Sequence, residues 1–150
     1  MNRFQGSLSS KSGFFLPSYD SISIYMSAQN PHYYVLRTES NEGFSSCYDM
    51  DKLKGANPYE VFLGGNYPLL EIETSIDNEK TLLLIKDSYA NCFIPFLLGN
   101  YKKILVMDPR YYVYNADMLF MTESISEVLF LYNATTLAKD VSLWHVLDNQ

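Results

Sequence analysis

Thr81–Tyr112 reads TLLLIKDSYANCFIPFLLGNYKKILVMDPRYY. Its apolar runs, Thr81–Ile85 and Ile104–Met107, are short and continuous, the pattern of strands buried on both faces. Between them Tyr89–Leu98 predicts an apolar helix, with a kink or a late start at Pro95 because proline removes a bond to the carbonyl of Asn91. Downstream, Asn115–Glu123 predicts a second helix and Val128–Tyr132 (VLFLY) a third buried strand. Strand, helix, strand, helix, strand with short links is the signature of a parallel sheet with right-handed crossovers. Thr135–Leu147 adds a closing helix, spaced by Leu137, Val141, Trp144 and Leu147.

Upstream of this block the pattern differs. Tyr67–Thr74 (YPLLEIET) alternates as a strand, with Leu70 and Ile72 on one face and Glu71 and Glu73 on the other. Cys47–Gly55 and Pro58–Leu63 predict two short helical turns, with Pro58 opening the second and Gly64 just past its end. Ile22, Ile24 and Met26 alternate with polar neighbours and, with His32–Thr38, predict a hairpin across Asn30-Pro31. Residues 1–18 are rich in Gly and Ser and predict a surface arm docked through Phe14, Phe15 and Leu16. The expected fold is a three-layer α/β domain with a short parallel sheet and an antiparallel, irregular N-terminal third. It divides into an arm (1–18), a hairpin and irregular region (19–79) and parallel βα units (80–150).

The chain has 150 residues, one domain's worth, and 47% of them are hydrophobic, enough for a packed core. A net charge of -6 argues against a nucleic-acid partner, whose phosphates need clustered Lys and Arg. No apolar run reaches the roughly 20 residues of a membrane span, and the first twenty residues contain no signal-peptide core. Cys47 and Cys92 are too few for a disulfide scaffold, read as small hydrophobes and form no metal pair; no metal or other cofactor is implied. Cys92, four residues after Ser88, is expected on the same helix face, lining the floor of a site. Tyrosine is abundant, with 13 copies. Tyr67, Tyr89, Tyr111, Tyr112 and Tyr132 all fall in or beside the strand ends, where rings could line a glycan site or simply pack at the surface.

In open parallel sheets, ligands gather beyond the carboxyl ends of the strands. Those ends are Lys86-Asp87-Ser88, Asp108-Pro109-Arg110 and Asn133. Ser88 at a strand-to-helix turn could be a nucleophile beside backbone N–H groups that stabilise an oxyanion. Alternatively Ser88 or Asp87 is the cap of the following helix. Gly64-Gly65-Asn66 either brings backbone and an amide donor to a ligand or terminates the preceding turn. Arg110 either clamps a substrate carboxylate or pairs with Asp108 or Asp87. His32 and His145 show no metal or triad spacing and are read as structural or exposed.

FLGGNYPLLEI (Phe62–Ile72), LLLIKDSYANCFIPFL (Leu82–Leu97), ILVMDPRYY (Ile104–Tyr112) and EVLFLYN (Glu127–Asn133), with FQGSLSSKSGF (Phe4–Phe14), resemble the bacterial DHHW proteins. That family is related to SGNH-type hydrolases and to the alginate O-acetyltransferase branch. The resemblance implies an acyl nucleophile at Ser88, preceded by Asp87, acting on an acyl ester of a cell-surface glycan in the bacterial envelope or outside the cell. Gly65, Asn66, Arg110 and Asn133 are the expected oxyanion or substrate-binding residues, chosen for their chemistry. The Asp-His-His-Trp motif that names the family does not occur in these 150 residues. The chain is therefore expected to be the back part of a larger domain, lacking its base. An alternative is a non-catalytic fragment or surface-associated binding protein. With part of the parent domain missing, an uncovered sheet edge and homo-oligomerisation through it are expected.

Overall fold

The structure is a computed structural model, and it describes residues 4–6, 9, 12–14, 17–27 and 31–147. Six strands form one open, mixed sheet: β1 (Tyr33–Arg37), β2 (Glu42–Phe44), β3 (Leu69–Thr74), β4 (Thr81–Lys86), β5 (Lys103–Met107) and β6 (Glu127–Leu131). Their spatial order is β2-β1-β3-β5-β4-β6. β5 and β6 both run parallel to β4, whereas β1, β2 and β3 join by antiparallel pairing, with β3 against β5. The three expected parallel strands are thus half of a larger mixed sheet.

β4 sits between β5 and β6, and all six of its residues are buried. Alternation sorts its side chains to two cores. Leu82 and Leu84 join Ile104, Val106, Leu70 and Ile72 on one face. Leu83 and Ile85 join Leu105, Met107, Tyr112 and Leu119 on the other. The second face is covered by helices α1 (Asp117–Thr122) and α3 (Ser142–Leu147), through Leu119 and Val146. A third, smaller cluster of Ile22, Val61 and Phe62 lies beside Tyr48 and Tyr59.

Several local expectations change. Residues 21–27 form no strand; Ile22 is buried in that third cluster, while Tyr25 and Met26 are exposed. The segment packs through side chains, and the hairpin partner of β1 is β2, across a turn at Asn41 with φ 53°. The arm docks through Phe4, which bridges Asp20 and stacks on Tyr59; Phe14 is exposed, and Phe15 and Leu16 lie outside the described residues. Tyr89–Leu98 is not one helix but two 3-10 turns, Ser88–Cys92 and Ile94–Phe96. Pro95 lies at the start of the second, where its missing N–H costs nothing. At three residues per turn, Cys92 falls off the face of Ser88, and it is exposed.

β6 is an edge strand, with Val128 and Phe130 about half exposed, not a strand buried on both faces. The closing helix is broken at Asp140-Val141 into α2 (Ala134–Lys139) and α3, because Asp140 Oδ1 accepts from Ser142 N–H and caps the second piece. Leu137, Val141, Trp144 and Leu147, whose spacing marked the helix, are exposed.

Candidate functional site

β4 ends at Lys86 and the chain turns at once into Ser88–Cys92. Asp87 is the cap of that turn: Oδ1 accepts from Tyr89 N–H at 2.9 Å and Oδ2 from Asn133 N–H at 3.2 Å. Capping is therefore done by the aspartate, and the neighbouring hydroxyl is left for other work. Ser88 Oγ accepts from Asn66 Nδ2 and from Arg110 Nη2, each at 3.0 Å.

Asn66 arrives through an unusual loop. Leu63, Gly64 and Gly65 have consecutive positive φ values of 65°, 76° and 140°. The positive φ of Gly64 favours glycine, and a Cβ there would lie a tight 3.0 Å from Arg37 Nη2. Leu63 adopts this conformation against its preference, held by its N–H bond to the Cys47 carbonyl at 2.7 Å and by burial. Arg37 stacks between Phe44 and Tyr67 at 4.1 and 4.2 Å from the ring centroids, beside the loop.

Arg110 comes from the end of β5. Its guanidinium pairs with Asp108 through Nε at 2.8 Å and Nη2 at 2.6 Å, and the second Nη2 hydrogen serves Ser88. The bond to Asp108 raises the Arg110 pKa further, so the group is a permanent cation. The choice between carboxylate clamp and internal ion pair is resolved at Asp108. Asp108 is fully buried and also pairs with Lys86 Nζ at 3.2 Å.

Of the residues expected at the site, Ser88, Asp87, Asn66 and Arg110 come together, with Gly65 beside them; its carbonyl accepts from Asn91 Nδ2 at 3.5 Å. Asn133 meets them only through its backbone N–H to Asp87. Its side chain instead caps α2, Oδ1 accepting from Thr135 N–H at 2.9 Å. Among the tyrosines, Tyr112 is buried in the second core, while Tyr111 and Tyr89 are exposed. Among the described residues neither His32 nor His145 hydrogen-bonds Ser88, and no cluster of His, Cys, Asp or Glu could hold a metal ion. Sequence reasoning named Asp108 as a possible partner of Arg110 but missed Asn91 and the pairing of Lys86 with Asp108. A lysine ending an otherwise apolar, buried run was the available signal.

No protein-family profile matches the sequence, and no curated protein does. Solved structures do. The fold is similar to that of a DHHW family protein. That protein, from Eubacterium siraeum, superposes with a TM-score of 0.71 at 24% identity, over 99% of this chain and 48% of its own. PatB1 of Bacillus cereus, solved with a sulfonyl adduct, gives 0.70 at 20% identity, over 91% of this chain and 46% of its own. A second PatB1 structure gives 0.60 at 23% identity, over 83% and 45%. At these identities the likeness is one of fold, and the chain spans about half the length of the proteins it matches.

Proposed function

We propose that this chain carries the nucleophile half of an SGNH-like serine acyl-ester hydrolase or O-acetyltransferase acting on a cell-surface glycan. The observation that carries the reading is the double donation to Ser88 Oγ by Asn66 and Arg110, with Asp87 occupied in capping the turn. A serine oxygen accepting from an amide and a guanidinium sits where developing negative charge is stabilised. Ser88 Oγ gives its proton to the base and attacks the ester carbonyl; the ester C–O bond breaks and the alcohol leaves with that proton. The acyl-enzyme then passes its acyl group to water or a sugar hydroxyl, whose proton returns to Ser88. Oxyanion donors are the Ser88 and Gly65 backbone N–H groups and the Asn66 amide, and Arg110, held by Asp108, donates to Ser88 Oγ. The fold's likeness to PatB1, which accepts a sulfonyl adduct, supports this chemistry, since sulfonyl electrophiles modify nucleophilic side chains. The proton acceptor would come from a segment upstream of the region seen here, as the DHHW resemblance implies, and the protein would work in the bacterial envelope or outside the cell.

A second reading, a glycan-binding protein without turnover, is favoured by one observation. No histidine meets Ser88 among the described residues. The two are separated by treating the chain, and a version extended upstream, with p-nitrophenyl acetate and a serine-directed fluorophosphonate. Turnover and a phosphonyl mass on Ser88, both lost in Ser88→Ala, are the expected outcome. Absence of both from the extended protein leaves the binding reading.

A further inference from the structure

Asn66 is held at Ser88 by its oxygen. Oδ1 accepts from Lys86 Nζ at 3.3 Å and from Asn91 Nδ2 at 3.1 Å. With two donors on Oδ1, a flipped amide would set NH2 against an ammonium and another amide, so only the observed orientation presents Nδ2 to Ser88. Lys86 also reaches the second donor on Ser88. Its ammonium pairs with Asp108, and Asp108 fixes Arg110 through two charge-assisted bonds.

Lys86 is 1% exposed, in a strand otherwise built of Thr, Leu and Ile. Burial lowers its pKa, opposed by Asp108. A buried cation is costly, and β4 packs its apolar residues without needing one. Asn91, 2% exposed, leaves its own Oδ1 without a hydrogen-bond partner among the described residues while donating to Asn66. Both groups bear a desolvation cost, and both aim at the same amide.

We infer that Lys86 and Asn91 are positioning residues that clamp the Asn66 amide toward Ser88, and that Lys86, through Asp108, also sets Arg110. This deepens the reading of Ser88 as the reacting group and rests on it, but its test needs no acyl transfer. In Ser88→Cys/Cys92→Ser protein, iodoacetamide alkylation followed against pH reads the thiol pKa at position 88. Cys47 stays silent, because burial pushes its thiol up to about 12. Facing position 88 are Asn66 and Arg110 directly, Lys86 behind them, and the carboxylates of Asp87 and Asp108, which act in the opposite direction.

The thiol should titrate below the ordinary value of about 8.5. Asn91→Leu changes no charge and removes an unpartnered acceptor, so it should fold; it should slow alkylation at neutral pH about threefold, and Lys86→Met about tenfold. An unchanged profile in folded Asn91→Leu protein overturns the clamp. So does a freely averaging Asn66 side-chain amide in the ¹⁵N spectrum of the unaltered chain, a measurement that needs no variant. Unlabelled Ser88 with a shifted thiol would sink the esterase reading alone, and labelled Ser88 with an ordinary thiol would sink the clamp alone.

Discussion

Cys47 shows how one buried group sets a pH limit. Its thiol is 1% exposed, and burial raises its pKa from 9.0 to about 12. Between those values the folded state keeps a proton that the unfolded chain loses. The thiol's contribution is therefore complete below pH 9 and is lost as pH rises toward 12. Tyr33, Tyr48, Tyr59 and Tyr132, all raised chiefly by burial, act with the same sign, and Lys86, lowered by burial, opposes them. Urea titrations from pH 7 to 11 should show stability falling above pH 9, with Cys47→Ala reducing the slope by on the order of 1 kcal/mol per pH unit. An identical slope in the variant would remove Cys47 from the account. At this scale the sequence singled out Ser88 and Asp87 but left open which of them caps the turn. The answer depends on the Asn133 N–H, 46 residues away from Asp87, which gives the second carboxylate oxygen a partner.

Among the elements, β4 and β6 have nearly the same apolar composition and opposite fates. Both lie in the parallel block, yet β4 is flanked on both sides and β6 on one. An apolar run announces a strand, but whether a neighbour covers its far edge is not written in the run itself. The β6 edge carries Glu127, already bound to Tyr101 Oη at 2.6 Å and Lys80 Nζ at 3.4 Å, and then four uncharged residues. Such an edge lacks the lysines and prolines that discourage added strands. Sedimentation velocity over a hundredfold concentration range should show reversible association, reduced in Phe130→Lys. A monomer at every concentration would dismiss the edge as an association site. The 3-10 turns after Ser88 differ from the expected helix for a related reason. Their apolar content suits a helix, but Pro95 and the cap at Asp87 split the segment into short turns.

Across the whole molecule, the sheet divides two cores, and β4 serves both. Truncation there should be expensive. Leu84→Ala, at a fully buried position, is expected to cost about 2–5 kcal/mol in urea unfolding. Phe130→Ala, half exposed on β6, should cost about 1 kcal/mol or less. Equal losses at the two positions would contradict the observed sheet order. The strands of the N-terminal third pair antiparallel, but β1 pairs with β2 and not with the segment before Asn30-Pro31, and the irregular segments settle around Val61 and Phe62 in ways that periodicity did not disclose. The sequence by itself determined the apolar run Thr81–Ile85 of β4, the parallel block around it and the strand-end position of Ser88. Those depend on apolar patterning and turn chemistry acting between near neighbours. Only the tertiary structure decided that Asn66 and Arg110, each 22 residues from Ser88, donate to one oxygen, and that Lys86 is buried behind them. Such meetings are fixed by strand order and by the partners a buried charge requires, and neither acts locally along the chain.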